Sequence, residues 1–248
     1  MKVAGVIPAR WASSRLPGKC LIPICGKPLV QRVWERASLA HGLSSLLVAT
    51  DDERIARAVG AFGGVAVMTR PDHPSGTDRV AEAVRGTEAE VVINIQGDEP
   101  LIDPGLIDAM ADCFDEPEWD MATAACPIVN PRDEAAPSVV KVVCDARGGA
   151  LYFSRLPIPF VRDEGGAVLR WRHIGLYAYK VGFLAKLLET PPCELEQAEK
   201  LEQLRALHIG GRIKVVRTAE AGVGVDTPED VVAAEAAVRK AEAGGARL

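Results

Sequence analysis

The first hundred residues alternate between short, unbroken apolar runs and stretches in which apolar residues recur every three or four positions. Runs of this length without polar alternation are typical of buried parallel strands, and they cover residues 3–7, 45–50, 65–68 and 90–95. The stretches between them predict helices at residues 29–37 and 77–85, and another that carries Ile55 and Val59. This order predicts an α/β fold with a doubly wound, mostly parallel sheet.

The pattern changes from about residue 121. Three predicted strands follow one another with turns and no helix between them, at residues 139–143, 150–153 and 170–180. Helices return afterwards, at residues 181–189 and 194–207, then a strand at 213–216 and a last helix that opens at Thr227 or Asp226. This half of the chain therefore predicts a smaller mixed or antiparallel lobe.

Composition places the chain among globular proteins. Its 248 residues are 48% hydrophobic and 25% charged, which excludes a disordered or fibrous chain. No apolar stretch is long enough to span a bilayer, and Pro8 and Arg10 interrupt the opening residues before a signal segment can form. The six cysteines include no CxxC pair, so we expect reduced, mostly buried thiols and a cytoplasmic protein without membrane insertion.

The charge is unevenly distributed along the chain. The formal net charge is −5, yet the first 34 residues contain no acidic residue and six basic ones, which are Lys2, Arg10, Arg15, Lys19, Lys27 and Arg32. With only 5% aromatic residues and an acidic remainder, the chain does not have the broad basic, aromatic face of a nucleic-acid binder. The pattern favours a local site for a small anion.

Three of the six basic residues lie in the loop that follows the first predicted strand. In an open α/β sheet, ligands bind beyond the carboxyl ends of the strands, so Arg10, Arg15 and Lys19 could meet phosphate oxygens there. Two guanidinium groups and one ammonium suit a triphosphate. The loop has neither the Walker pattern nor the dinucleotide-binding GxGxxG pattern. From charge alone, three solvated surface residues remain the alternative.

Two acidic residues occupy equivalent places further along. Asp98 follows the strand at 90–95, and Asp226 stands where a strand gives way to the last helix. Carboxylates at this edge of the sheet can hold Mg²⁺ that bridges nucleotide phosphates. Taken singly, Asp98 could belong to a turn and Asp226 could be a helix cap. Together with the basic loop, they predict a metal-dependent phosphate site.

Several segments, taken in order, resemble one known family. The resemblance begins with VIPARWASSRLPGKCLIPICGKPLVQRVWERA and continues through ATDDERIARAV, MTRPDHPSGTDRVAEAV, VINIQGDEP, ALYFSRLPIPF, RHIGLYAY, LEQLRAL and GVDTPED. These segments are similar to those of the CMP-KDO synthetases, the 3-deoxy-manno-octulosonate (KDO) cytidylyltransferases, and they cover nearly the whole chain. The motif PAR…S.RLPGK alone would specify only sugar-type cytidylyltransferases, whereas HPSGTDR, LYFSR and RHIGLY narrow the resemblance to the KDO branch.

The resemblance implies a Rossmann-like nucleotidyltransferase that transfers CMP from CTP to the anomeric hydroxyl of KDO, with Mg²⁺ as cofactor, for lipopolysaccharide biosynthesis. It implies one domain over residues 1–248, with a nucleotide-binding part at about 1–125 and 217–248 and a sugar-binding, dimerising lobe at about 126–216. It also implies a homodimer, to which the apolar strands at 139–143 and 176–179 could contribute.

The resemblance also implies roles for individual residues. Lys19, Arg10, Arg15 and Asp98 would be catalytic, and Asp98 and Asp226 would bind the metal. The nucleotide would be bound by Ala9, Arg10, Arg15, Lys19, Ser75, Gly76 and Gln96. The sugar would be bound by Arg79, Arg155, His173, Tyr177, Glu202 and Gln203. An arginine such as Arg155 suits a sugar carboxylate, because its guanidinium can bind both oxygens at once.

Other interpretations stay open at this point. The residues His173 and Tyr177 could simply pack in the core, and Glu202 and Gln203 could belong to a solvated helix face. The substrate could be a related acid sugar, 8-amino-KDO or one like sialic acid, because few pocket groups distinguish such sugars. A non-catalytic nucleotide-sugar binding protein is a further alternative. A dehydrogenase is disfavoured by the missing glycine pattern.

Overall fold

The structure is a computed structural model that describes residues 1–12, 16–163, 166 and 168–244. The chain forms two compact units, Met1–Ala111 together with Gly222–Leu248, and Asp112–Ala221. The boundaries therefore lie at residues 111 and 222, whereas the sequence predicted them near 125 and 217. The first boundary comes earlier because the strand that begins at Met121 pairs with strands of the second unit.

Within residues 1–12 and 16–112, the structure describes six strands and four helices. The strands are β1 (Val3–Ala9), β2 (Pro23–Ile24), β3 (Lys27–Pro28), β4 (Ser45–Thr50), β5 (Val65–Met68) and β6 (Val91–Asn94). The helices are α1 (Leu29–Ala37), α2 (Glu53–Ala61), α3 (Gly76–Ala83) and α4 (Pro104–Asp112), and a 3₁₀ turn spans Lys19–Leu21. The pattern of apolar positions predicted β1, β4, β5, β6 and the first three helices, but not α4.

Four strands of the first unit form a parallel sheet in the order β6-β1-β4-β5. The register pairs Ala4 of β1 with Ser45 of β4, and Val3 of β1 with Val91 of β6. Strand β1 is almost wholly buried, as its unbroken apolar sequence predicted. Because the strands are parallel, the loops after β1, β4 and β6 leave the sheet at one edge.

The second unit contains the mixed lobe that the sequence predicted. Its strands are β7 (Met121–Pro127), β8 (Lys141–Cys144), β9 (Ala150–Ser154), β10 (Trp171–Lys180) and β11 (Ile213–Arg217), and its helices are α5 (Pro131–Ala135), α6 (Val181–Glu189), α7 (Glu194–Glu199) and α8 (Gln203–His208). Strand β7 pairs in parallel with β11 and antiparallel with β10, and β8 pairs antiparallel with β10 and β9. The last helix, α9 (Pro228–Ala243), belongs to the first unit.

The sequence predicted a single helix over residues 194–207, and this prediction is wrong. The segment forms two helices, because Lys200 adopts a left-handed conformation with φ of 54° and ends α7. The carbonyls exposed at this break are bound by a side chain from elsewhere: Arg155 donates from Nε to Glu199 O at 2.6 Å, and from a terminal nitrogen to Lys200 O at 3.4 Å. A periodic pattern cannot reveal a partner that lies 44 residues away.

The thiols of the chain are reduced in the structure. All six cysteines lie within the described residues and form no disulfide, and four of them are buried. Burial raises the pKa of the Cys20 and Cys113 thiols to about 11, so both stay protonated near neutral pH. Among the described residues, no helix is both long and apolar enough to cross a membrane.

Candidate active site

Lys19 lies between two carboxylates in the first unit. Its ammonium donates hydrogen bonds to Asp98 Oδ2 at 2.8 Å and to Asp226 Oδ1 at 3.0 Å. Burial by itself lowers the pKa of Lys19, but the two carboxylates outweigh burial and raise that pKa above its ordinary value. The fold thus assembles one cation and two anions from three distant points of the sequence. The sequence predicted all three as site residues.

The backbone around this cluster depends on two glycines. Gly18 has a φ of 69°, which glycine adopts without strain, and it leads into the 3₁₀ turn. A Cβ on Gly97 would lie 2.7 Å from Pro8 O, so only glycine lets the chain after β6 pass the end of β1. The Val225 amide donates to Asp98 O at 2.9 Å, which ties the segment before α9 to the same edge of the sheet.

Asp226 is not the cap of the last helix. Thr227 is the N-cap, and its hydroxyl accepts from the Asp230 amide while the Asp230 carboxylate accepts from the Thr227 amide. The Asp226 amide also donates to Asp230, at 3.0 Å. The Asp226 carboxylate instead accepts from Lys19, so the interpretation of Asp226 as a mere cap is wrong.

Arg10 follows β1 and lies beside a second charged group. Burial first, and then the positive charge of Arg79, lower the pKa of Arg10, which stays protonated at any ordinary pH. Arg79 itself is fully buried; it pairs with Asp51 at 2.8 Å and donates to the Thr69 hydroxyl. These bonds join the ends of β4 and β5. A contact between Arg79 and a sugar stays a prediction, and this geometry favours a supporting role for it.

The other predicted nucleotide residues lie at the same edge of this unit or at the start of α3. Ser75 is the N-cap of α3, and Gly76 is the first residue of that helix, where amides suit an anion. Ala9 ends β1 and is completely buried, so a ligand could meet only its backbone. Gln96 follows β6. Arg15 lies outside the described residues.

A second cluster lies in the other unit and consists of neutral groups. Tyr177 Oη donates to Gln203 Oε1 at 3.2 Å, and the rings of His173 and Tyr177 are 5.5 Å apart. Burial lowers the pKa of His173 to about 3, while burial and then the Glu202 carboxylate raise the pKa of Tyr177. The Gln203 amide nitrogen is buried and has no partner among the described residues. A buried donor of this kind can bind a water molecule or a ligand.

A bulge in β10 brings the two rings together. Residues four apart in a regular strand face the same side but are separated by roughly 13 Å. In β10 the pairing shifts: Ile174 lies opposite Ala124, but Tyr177 lies opposite Thr123, so two extra residues are accommodated. The prediction that both side chains share one face did not include this bulge, without which His173 and Tyr177 could not touch.

Arg155 is engaged by the backbone of its own unit. Its guanidinium donates to Glu199 O, Lys200 O and, at 2.8 Å, Pro137 O. The Glu199 carboxylate accepts in turn from the Ser154 hydroxyl at 2.7 Å and from the Arg155 amide at 2.9 Å. The prediction that Arg155 binds a sugar carboxylate remains a prediction. What the structure describes is a side chain that holds the break between α7 and α8.

Three residues of this region were missed by the sequence analysis. Glu199 binds the Ser154 hydroxyl, Thr123 contacts His173, and the fully buried Lys141 donates to the carbonyls of residues 136, 139 and 155 at 2.7–3.0 Å. No local pattern marks them: a threonine in a strand and a lysine between valines are ordinary. Only their three-dimensional neighbours reveal a role.

Comparison with known proteins decides the family. A cytidylyltransferase family model matches residues 4–214. Two 3-deoxy-manno-octulosonate cytidylyltransferases are close relatives: that of Geobacter sulfurreducens is 50% identical, with 93% of this chain and 97% of the relative covered, and that of Solibacter usitatus is 52% identical, with 93% and 92% covered. The chain belongs to the cytidylyltransferase family. It is accordingly a nucleotidyltransferase.

Solved structures agree with this assignment. A CMP:2-keto-3-deoxy-manno-octonic acid synthetase complexed with CTP is 45% identical to this cytidylyltransferase and superposes with a TM-score of 0.92, covering 97% of this chain and 99% of that one. A 4-diphosphocytidyl-2C-methyl-D-erythritol synthase from Anaerococcus prevotii is 12% identical with a TM-score of 0.65, so it shares the fold alone. The predicted Rossmann-like nucleotidyltransferase fold is confirmed.

The donor set of this cytidylyltransferase fits a hard divalent cation. Among the described residues there is no group of three or more His, Cys, Asp or Glu side chains that could hold a metal by themselves. Mg²⁺, however, is usually bound by one or two carboxylates with water and substrate phosphates completing the shell. Asp98 and Asp226, which share one ammonium, offer that number of carboxylates.

Proposed function

We propose that this cytidylyltransferase transfers CMP from CTP to the anomeric hydroxyl of 3-deoxy-D-manno-octulosonate and releases pyrophosphate. The observation that carries the proposal is the identity of about one half, over more than nine-tenths of each chain, with relatives that bear this activity in their names. The CTP complex of the similar synthetase supports CTP as the donor. The charged cluster around Lys19 supplies groups suited to a triphosphate.

The proposed chemistry is a displacement at the α-phosphorus. The anomeric oxygen of the sugar forms a bond to that phosphorus, the bond to the β-phosphate oxygen breaks, and the hydroxyl proton leaves to solvent. Lys19 and Arg10 would neutralise the charge that develops on phosphate oxygens, because fixed cations act most strongly where charge appears in the transition state. The protein has little covalent work to do beyond holding the two substrates in line.

Mg²⁺ is part of the proposal. Asp98 and Asp226 would hold it, and when bound it would withdraw charge from the transferred phosphate. Lys19 now fills the place between these carboxylates. We therefore propose that Lys19 changes partners when the nucleotide arrives with its metal, exchanging carboxylate oxygens for phosphate oxygens.

The acceptor side would be formed by the neutral cluster of His173, Tyr177 and Gln203. Neutral donors and acceptors suit sugar hydroxyls, and the unsatisfied Gln203 amide nitrogen offers a donor. An amine in place of one hydroxyl, as in 8-amino-KDO, would change only one such contact. The acid sugar is therefore the part of the proposal that most needs a direct test.

From the same resemblance we propose that the enzyme is cytoplasmic and forms a homodimer. Its product would be the activated sugar for lipopolysaccharide biosynthesis. In the strands expected to form the dimer contact, Val142, Leu176 and Tyr179 are almost completely buried, whereas Val140, Val143 and Tyr177 are half-buried. The exposed apolar side chains of Val129 and Phe160 in the same unit, 87% and 86% exposed, are better candidates for burial by a second copy.

A pyrophosphate-release screen tests the proposal. CTP and UTP are each offered with KDO, 8-amino-KDO and sialic acid, with and without Mg²⁺. We expect release with CTP, KDO and Mg²⁺ together. Pyrophosphate release only with 8-amino-KDO or sialic acid would identify that sugar as the substrate. No release with any acid sugar would overturn the transferase proposal.

Two variants separate catalysis from mere binding. Asp98→Asn and Asp226→Asn keep the size of the side chain but remove one metal carboxylate each. We expect both to retain CTP binding by calorimetry and to lose at least about a hundredfold in kcat, as expected when a group acts in the transition state. A non-catalytic binding protein would show no turnover to lose. Asp108→Asn is the matched control, because Asp108 accepts from the Gly42 amide away from this cluster.

A further inference from the structure

Thr123 has a hydroxyl with more acceptor neighbours than it has protons. It lies on β7, is completely buried, and its oxygen is 2.9 Å from Leu176 O, 3.2 Å from Ile174 O and 2.9 Å from His173 Nε2. The first two neighbours are backbone carbonyls, which can only accept. Both carbonyls reach the same hydroxyl because they belong to the bulge of β10.

Counting protons assigns the histidine tautomer. Thr123 has one hydroxyl proton. If that proton went to His173 Nε2, the hydroxyl lone pairs would face two carbonyl oxygens at close range. If it goes to a carbonyl, the hydroxyl oxygen accepts from His173 Nε2–H, and every close contact at Nε2 has a proton between its partners. The second arrangement is the favoured one, and it places the single ring proton on Nε2.

The rest of the surroundings agree with a fixed, neutral ring. The Phe153 ring packs edge-on against His173, with centroids 5.0 Å apart and planes at 77°, which holds the ring orientation. Burial lowers the pKa of His173 to about 3, so the ring carries one proton near neutral pH. The described hydrogen bond of the ring lies at Nε2, so in this tautomer the lone pair of Nδ1 is available to a ligand.

We infer that Thr123 is a positioning residue: it fixes His173 as the Nε2–H tautomer and thereby presents Nδ1 as a hydrogen-bond acceptor for a hydroxyl or amine of the acceptor sugar. The identity of that donor rests on the proposed function, whereas the tautomer does not. A side chain that can only accept at this point selects a ligand group that carries a proton and disfavours an oxygen without one.

The tautomer can be measured without any substrate. Long-range ¹H–¹⁵N correlation spectra of the labelled protein near pH 7 separate protonated from bare imidazole nitrogens, and the chain has only four histidines, so His173→Gln assigns the signals. We expect Nε2 to be protonated and Nδ1 bare. A proton on Nδ1, alone or together with one on Nε2, would overturn the inference.

A pair of variants tests the role of the hydroxyl. Thr123→Val keeps the shape and removes the hydroxyl, whereas Thr123→Ser keeps the hydroxyl and should restore both readouts. With Thr123→Val we expect a mixture of tautomers and a rise of about tenfold in KM for the acid sugar, the size of one lost hydrogen bond, with little change in KM for CTP. Unchanged tautomer and sugar KM in a folded Thr123→Val protein would contradict the inference.

The two proposals fail in different ways. If the screen finds no acid sugar that is turned over, the proposed function fails, yet the spectra still report the tautomer. If the tautomer is as inferred but Thr123→Val and His173→Gln leave the sugar KM unchanged while turnover continues, the reaction stands and the recognition role of Nδ1 is wrong. Cooperative thermal unfolding of Thr123→Val establishes that the variant is folded. Should it fail to fold, Thr123→Ala with the same spectra replaces it.

Discussion

The two clusters of this protein differ in charge and in exposure to solvent. In the first unit, Lys19, Asp98 and Asp226 carry full charges, and the Asp226 side chain stays 45% exposed. In the second unit, His173 and Gln203 are neutral and only 9% and 3% exposed. Charged groups that must exchange partners stay near water, because burying an unpaired charge is very unfavourable. Neutral hydrogen-bonding groups can be buried, where their directional contacts become stronger.

The two clusters suit different kinds of ligand. A charged, partly solvated cluster suits a ligand that brings its own charges and metal, as a nucleotide triphosphate does. A largely buried, neutral cluster with an unsatisfied amide donor suits the recognition of hydroxyl groups. Each unit can therefore be disturbed separately: changes in the first should alter nucleotide chemistry, and changes in the second should alter stability and acceptor recognition.

The largest effect should come from removing the charge of Lys19. Lys19→Met leaves Asp98 and Asp226 without their shared cation and removes a group that we propose acts on phosphate oxygens. We expect kcat/KM for CTP to fall by roughly 10²–10³, measured by pyrophosphate release. Lys27→Met is the matched control: Lys27 is paired with Glu35 at 2.8 Å, and its loss should change kcat/KM less than about twofold. Near-normal turnover of Lys19→Met would refute the charged role of the first unit.

The second effect concerns the ammonium of Lys141 in the second unit. Lys141 is completely buried, and the described partners of its ammonium are three backbone carbonyls. Burial is also the main reason that the pKa of Lys141 is lowered. Lys141→Met removes the ammonium that these carbonyls share, although the Ala136 carbonyl keeps the Val139 amide as a donor, so we expect a loss of about 2–4 kcal/mol in the free energy of unfolding.

Urea unfolding near pH 7 measures the effect of Lys141→Met. Lys186→Met is the control, because Lys186 lies exposed on α6 in the same unit and should change stability by less than about 0.5 kcal/mol. Equal stabilities of the two variants would show that water replaces the Lys141 ammonium as the hydrogen-bond donor to these carbonyls.

A smaller effect, spread over pH, should come from His173. Its pKa is lowered by burial to about 3, so between that value and the ordinary one near 6.5 the unfolded chain binds a proton that the folded chain does not. The group therefore supports folding above about pH 6.5, and this support is lost as the pH falls. The expected slope of the unfolding free energy is about 1.4 kcal/mol per pH unit in the acid range.

The measurement is urea unfolding at intervals from pH 7 to pH 5, for the wild type and for His173→Gln. Other titrating groups are common to both proteins, so the difference between the two curves isolates His173. We expect that difference to shrink as the pH falls. Parallel curves would mean that His173 is solvated, and the neutral description of the second cluster would fail.

Much of the first cluster could be predicted from the sequence, for a clear reason. Parallel strands end at one edge of a sheet, so residues that follow separate apolar runs must come together. That rule placed Lys19 and Asp98 in one site before any coordinates. It placed Asp226 there as well, but for a wrong reason, because β11 ends at Arg217 and Asp226 follows a loop and not a strand end. It did not decide between metal ligand and helix cap at Asp226, because Thr227 stands beside it and either could cap the helix.

The second cluster could not be predicted in the same way. It depends on a bulge that places His173 against Tyr177, and on a helix break that places Gln203 near Tyr177. Both are local irregularities stabilised by distant partners, such as Arg155 at the break. Sequence periodicity predicts regular helices and strands, so it cannot predict a bulge within a strand or a break within a helix.

The smallest effect that we expect lies at the border of the charged cluster. The Arg54 guanidinium stacks 3.3 Å from the centre of the Trp11 ring and pairs with Asp52, and Trp11 belongs to the loop that leads to Lys19. Arg54→Ala removes an exposed cation–π contact, so KM for CTP should rise about two- to fivefold with kcat little changed. Arg57→Ala, an equal change of charge on the same exposed helix face, should leave KM for CTP unaltered. Equal shifts of KM for CTP in both variants would assign the effect to the overall charge of α2. The stacking of Arg54 on Trp11 would then not contribute to CTP binding.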